Sequence, residues 1–192
     1  MKNFNMLLIV LIAVISFQCG TTKSTTKSES DNIFDKPFVG NETPGTLTAT
    51  GDAGSPNVFT FNKWGFTEVR IPEGNVEKIY AEILIYTGSA TTGYKELEKN
   101  ILKKKDYFYV DMFPKASVVI DGATANADGS YTTEAELTLK GISNPITLNF
   151  TISDSKPYKV EGEGVIIRQN WGFTGGGPKN EVPVSLDAEL PL

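Results

Sequence analysis

Apolar and polar residues alternate with a period of two over most of this 192-residue chain. Tyr131, Thr133, Ala135, Leu137 and Leu139 point one way, and Thr132, Glu134, Glu136, Thr138 and Lys140 the other. After the turn "GISNP", Ile146, Leu148, Phe150 and Ile152 alternate with Thr147, Asn149 and Thr151. Near the end, Val182, Val184, Leu186, Ala188 and Leu190 alternate with Pro183, Ser185, Asp187 and Glu189. One dry and one wet face per strand marks antiparallel sheet with water on one side. Further strands are expected at Thr46–Thr50, Val58–Lys63, Val76–Tyr86, Ser117–Asp121 and Lys159–Arg168. Eight amphipathic strands can hide their dry faces in a sandwich or in a closed barrel, and only the barrel abolishes edges.

One helix interrupts the pattern. In "GYKELEKNILKKK", Tyr94, Leu97 and Ile101 share a face at helical spacing. It fits across an open end of a barrel or on the outside of a sandwich. The dry faces also carry small residues: Val160, Gly162, Gly164 and Ile166 form one alternating set. Glycine in a strand marks a bend or a close approach by a ligand. An eight-stranded barrel is wide enough either to be filled by side chains or to hold one small ligand.

Both tryptophans lie in a repeated tetrapeptide, Trp64–Thr67 and Trp171–Thr174, each reading WGFT. Each stretch is expected to follow a strand, with Gly65 and Gly172 turning the chain. Trp64, Phe66, Trp171 and Phe173 would then either line a cavity or plug a barrel end.

The ends read differently. Lys2 precedes an apolar run from Met6 to Phe17, broken only by Ser16, that is shorter than the ~20 residues needed to span a bilayer. The single cysteine, Cys19, follows. The arrangement resembles the lipobox of bacterial lipoproteins, although Gln18 stands where a small residue is usual. Residues 1–18 are thus expected to be a signal peptide and Cys19 a lipidated N-terminus. Residues 19–45 are polar enough to serve as a flexible tether, which leaves 46–192 as one domain. The expected location is the bacterial cell envelope, exported and held to the membrane through the lipid anchor.

Removing residues 1–18 takes one lysine away, so 17 basic residues face 23 acidic ones and the net charge becomes −6. Such a surface repels nucleic acid and anionic lipid headgroups, and binding to either relies on basic clusters. The one dense basic run, Lys103–Lys105, reads as a solvated helix end. The chain has no histidine, so histidine-ligated metal sites and Ser-His-Asp triads are excluded. Asp106 and Asp111 are the only closely spaced carboxylates singled out for acid–base work, and solvated or capping roles suit them better.

Four segments resemble the YceI-like polyisoprenoid-binding family. They are "NVFTFNKWGFTEVR", "ILKKKDYFYVDMFPKASVVI" with its Leu102, Asp106, Tyr107, Phe108, Phe113 and Pro114, "AELTLKGISNPITLNF", and "VIIRQNWGF". They occur in the family's order from about Thr46 to Leu190. The resemblance implies an antiparallel, eight-stranded lipocalin-like barrel whose pore holds a long isoprenoid such as a prenyl phosphate or quinone. Three positions depart from the pattern: Lys63 replaces a histidine, Ile71 a glycine and Asn170 an acid. The leading function is therefore lipid binding without catalysis, with a ligand-free scaffold as the alternative. The candidate cavity and mouth residues are Lys63, Trp64, Phe66, Arg70, Phe108, Phe113, Leu148, Gly162, Gly164, Arg168, Trp171 and Phe173. Lys63, Arg70 and Arg168 would face a head group.

Overall fold

A computed structural model describes residues 32–52, 56–176 and 179–192. The expected signal peptide and Cys19 lie outside the described residues. Among the described residues, eleven antiparallel strands form one curled sheet with a single α-helix. They are β1 (Gly45–Asp52), β2 (Pro56–Phe61), β3 (Trp64–Arg70), β4 (Tyr80–Tyr86), β5 (Ala90–Thr91), β6 (Lys115–Asp121), β7 (Thr124–Ala125), β8 (Tyr131–Leu139), β9 (Ile142–Ile152), β10 (Lys159–Ile167) and β11 (Glu181–Glu189), with α1 at Lys95–Lys103 between β5 and β6. Their order in the sheet is β3-β4-β6-β8-β9-β10-β11-β1-β2-β5, and β7 pairs with β8.

The count exceeds the expected eight by β3, β5 and β7: β3 and β5 follow breaks where the expected strands were to end. Asn62 and Lys63 separate β2 from β3, and a 3₁₀ turn at Thr87–Ser89 separates β4 from β5. Tyr86 N donates to Lys63 O at 2.9 Å and Lys63 N to Ser89 Oγ at 3.0 Å, so the two breaks face and bond each other. The remaining strand, β7, is a two-residue bridge.

Sequence expectation and structure part company at two further places along the strands. "GISNP" is not a turn: β8 and β9 meet in a two-residue hairpin at Lys140 and Gly141, both with positive φ (53° and 72°). Pro145 sits inside β9, on the stretch where β10 has not yet paired, so its missing N–H costs no bond on that side. Residues 76–78 form a 3₁₀ turn instead of strand, because the Asn75 side chain caps Glu77 N at 2.9 Å.

The chain from Asn32 to Pro44, expected to be the end of the tether, lies against the outer face of the sheet. Val39 N donates to Phe66 O and Thr43 N to Trp64 O, both at 2.7 Å, which covers the free edge of β3. The Phe38 ring packs over Gly65, where a Cβ would stand 2.8 Å from its Cδ1. Gly65 therefore does not turn the chain. It lies within β3 and makes room for an aromatic ring from this strap. Gly172 does turn it, with φ at +69° after a 3₁₀ turn.

Beneath the strap lies a buried carboxylate. Glu82 accepts from Lys36 Nζ at 2.9 and 2.7 Å, from Tyr80 OH at 2.8 Å and from Thr67 Oγ1 at 3.0 Å. Burial pushes the Glu82 carboxyl up, but the hydrogen bonds from Lys36, Tyr80 and Thr67 outweigh it and hold it below its ordinary value. The bond to Glu82 raises Lys36, and burial followed by that same carboxylate pushes Tyr80 up to about 12.

Candidate functional site

The inward faces of the strands are apolar throughout but unequally buried. Ile83, Ile85, Val118, Leu137 and Ile146, on β4, β6, β8 and β9, are buried. Leu47 and Ala49 on β1, Leu148 on β9, Ile166 on β10, and Val184 and Leu186 on β11 also face inward, yet they are only partly buried. Between these sets the side chains leave a cavity of about 440 Å³. That lies within the ~300–1,000 Å³ range of small-molecule sites. Small residues make the room: Ala49, Gly51 and Gly162 all contribute to its wall.

Its two ends differ. Toward the start of β1 the wall is made by buried Ile79, Phe150 and Leu190. At the opposite end α1 presents Leu97 and Ile101, beside a chain of edge-to-face rings. Phe61 to Phe108 is 6.1 Å between centroids, and Phe108 to Phe173 is 5.2 Å. Glu98 fixes the start of α1 by reaching back to the amides of Thr92 and Gly93 at 2.7 and 2.9 Å. The loops after α1 and after β10 are joined: Thr174 N and Gly175 N donate to Asp106 O, and Tyr107 OH donates to Gly176 O. Lys140 locks both from below, giving hydrogen bonds to Lys105 O at 2.9 Å and Gly172 O at 2.8 Å. Burial pulls its ammonium below the ordinary lysine value, against the pull of Asp106. Sequence reasoning missed Lys140 because nothing in a hairpin turn announces which carbonyls will surround it.

Asp52, Asn57, Asn100, Lys104 and Arg168 lie in the wall at this same end, while Thr48, Glu163 and Ser185 border it along β1, β10 and β11. Lys104, expected in a solvated run, instead falls seven residues after Leu97 and lines the cavity with it. Arg168 donates from Nε to Lys179 O and from Nη1 to Phe173 O, which orders the loop after β10.

Of the twelve candidates, Phe66, Phe108, Leu148, Gly162, Arg168 and Phe173 line the cavity. The other six do not. Lys63 pairs with Glu42 at 3.7 Å and lies over the Tyr86 ring. Arg70 pairs with Glu68 at 2.9 Å and covers Tyr80. Phe113 packs on Tyr109 and Gly141. The inner face of Gly164 is covered by Leu148, whose Cδ2 stands 2.6 Å from where a Cβ would be. Trp64 and Trp171 are fully buried packing residues. Trp171 donates its indole N–H to Leu137 O at 3.1 Å, and that of Trp64 has no acceptor among the described residues. Asp106 accepts from Thr174 and Asp111 pairs with Lys103, so neither faces the cavity. No cluster of metal-ligating side chains occurs among the described residues, and no described helix is long and apolar enough to cross a membrane.

Residues 38–190 match the YceI-like domain. The chain belongs to this family. A UPF0312 protein of Yersinia enterocolitica is 36% identical over 66 residues, 34% of this chain and 33% of that protein, so the match spans about a third of its length. Among solved structures, Burkholderia cenocepacia BcnA superposes with a TM-score of 0.68 at 19% identity, covering 74% of this chain and 93% of that one. A polyisoprenoid binding domain from Saccharophagus degradans gives 0.57 at 13% identity, with 77% and 93% covered. A Campylobacter jejuni YCEI protein gives 0.54 at 16%, with 68% and 82% covered. These likenesses show the YceI-like fold.

Proposed function

We propose that this YceI-like domain binds a long-chain isoprenoid, or another apolar lipid of that shape, in its cavity and performs no catalysis on it. The apolar cavity, with Lys104 and Arg168 beside Asp52 at one end, carries this reading. On this reading the sheet acts as a closed lipocalin-like barrel of eight staves, with β2 and β3 counted as one, β4 and β5 as one, and the β7 bridge left out. The polyisoprenoid-binding description of the Saccharophagus degradans neighbour supports the ligand class. Each methylene buried contributes ~0.8 kcal/mol, so a tail of a few prenyl units binds without any catalytic group. Arg168 and Lys104 are the groups proposed to meet a phosphate or quinone head. Lys63 and Arg70, which lie off the cavity wall, are not. With Cys19 acylated, the domain would hold or carry its lipid at the surface of a membrane of the bacterial envelope.

Native mass spectrometry of the purified protein, followed by lipid extraction, tests the ligand class directly. A co-purifying apolar lipid of prenyl type is the expected result. Calorimetry on delipidated protein should then show binding of both a prenyl alcohol and a prenyl phosphate, with Arg168→Ala weakening the phosphate more. Failure of both to bind would favour a ligand-free scaffold. For the anchor, Cys19→Ser should remove salt-resistant membrane retention, since an acyl-anchored protein depends on its chains. Unchanged retention would overturn that part.

A further inference from the structure

The net negative charge of the chain conceals a separation of charge. On the outer wall, β8, β10 and β11 carry exposed Glu134, Glu136, Glu161, Glu163, Asp187 and Glu189. At the cavity's polar end, Lys95 to Lys105 carries five lysines against Glu96 and Glu98, and Asp106 and Asp111 follow in the next loop. Lys95, Lys99 and Lys103 repeat at i, i+4 along the exposed side of α1, and Lys104 and Lys105 follow at once. Lys103 is paired with Asp111, but Lys95, Lys99 and Lys104 make no ion pair among the described residues.

The exposed apolar side chains are segregated in the same direction. Tyr94, at the start of α1, and Met112, in the loop after it, are 68% and 60% exposed, more than any other large apolar residue described. Ile142 joins them from the β8–β9 hairpin. Val58 and Val165, each 50% exposed, lie on the adjoining outer wall, near the start of β2 and the end of β10. Scattered single apolar residues need no explanation, but here they converge with lysines on one end of one molecule.

From this juxtaposition of lysines and exposed apolar tips around the cavity's polar end, we infer that this end is a docking surface for an anionic phospholipid bilayer. The lysines meet the headgroup charge while Tyr94 and Met112 enter the interface. Tyrosine suits that depth because its ring is apolar and its hydroxyl wet. The acidic outer wall is repelled by the same surface, so the molecule docks in one orientation, with the cavity end toward the lipid. Transfer of cargo across that contact rests on the lipid-binding reading above. The docking does not, because Tyr94, Lys95, Lys99, Lys105 and Met112 lie outside the cavity wall.

The test uses the full chain carrying Cys19→Ser, which removes the only native thiol. Met112→Cys and, separately, Glu161→Cys are labelled with a polarity-sensitive fluorophore. Each is added to phosphatidylcholine vesicles with and without about a third of phosphatidylglycerol. A blue shift is expected at position 112 and none at 161, only on the anionic vesicles. Each lysine near such a surface contributes roughly a fivefold gain in affinity, so Lys95, Lys99 and Lys105 changed together to Gln should raise the lipid concentration for half-maximal shift roughly a hundredfold. Equal shifts at both positions, a shift on neutral vesicles, or an unchanged triple variant would overturn the proposal. No shift at 112 on either vesicle would overturn it in favour of a protein partner. All of these readings are made without isoprenoid, and Lys104 and Arg168 are left intact. Failure of lipid binding by calorimetry is therefore a separate result.

Discussion

Two glycines two residues apart on β10 separate space from contact. A Cβ at Gly162 would meet only ordinary neighbours, the nearest being Phe150 Cβ at 3.5 Å. At Gly164 it would strike Leu148 and the Thr147 carbonyl, at 2.6 and 2.9 Å. Gly162→Leu should therefore keep the thermal midpoint within a few degrees while abolishing lipid binding by filling the cavity. Gly164→Leu should destabilise by ~1–3 kcal/mol, the usual cost of overpacking. Thermal unfolding with calorimetry distinguishes the two, and equal midpoints would mean that Leu148 does not cover Gly164. The tryptophans divide in a similar way. Trp171→Phe strips Leu137 O of a partner and should cost about 1 kcal/mol more than Trp64→Phe, whose N–H has no acceptor to lose.

Among the elements, the strap from Asn32 to Pro44 is the one whose role is least apparent from composition. Its docking depends on a glycine under Phe38, so Gly65→Ala should lift it without breaking β3. The expected signature is faster hydrogen exchange at the Val39 and Thr43 amides, which are bonded to Phe66 O and Trp64 O. Gly172→Ala should leave those amides protected and cost roughly 1–2 kcal/mol through its left-handed backbone. If Gly65→Ala leaves exchange unchanged, the ring does not need that space. The ion pair under the strap is a second handle. Lys36→Met leaves Glu82 buried without its cation and should cost roughly 2 kcal/mol. That is less than the ~3–5 kcal/mol of a fully buried pair, because the Lys36 side chain keeps 22% of its exposure.

The molecule as a whole should lose stability at both ends of the pH scale through the same cluster. Glu82 has a lowered folded-state pKa, so its contribution is complete above the unfolded value of 4.5 and disappears as pH falls through the folded one. Tyr80 and Lys36 are raised, so their contributions are complete below 10.0 and 10.5. That of Tyr80 is lost as pH rises toward about 12. Denaturant titrations across pH should show both declines, and Glu82→Gln should flatten the acid one. An acid limb unchanged in Glu82→Gln would assign it to other carboxylates. A bound prenyl lipid should raise stability by mass action at neutral pH, about 2.7 kcal/mol at a hundredfold excess over Kd.

Much of this was determined locally by the chain. Alternation specifies which face of β8, β9 and β11 is dry, since a one-residue slip would expose the whole set. The spacing of Leu97 and Ile101 specifies the inner face of α1. The absence of histidine excludes whole classes of chemistry. What the sequence left open depends on residues that meet only in three dimensions. Gly65 and Gly172 stand in identical tetrapeptides, yet one is a strand glycine under Phe38 and the other a left-handed turn. Lys36 and Glu82 are 46 residues apart, and nothing local to either announces the pair. Arg70 and Arg168 both follow an apolar strand, but pairing sends one to Glu68 outside and the other into the cavity wall. Period two assigns a side to each residue. Only the curl of the sheet decides what lies on that side: another side chain, a cavity or water.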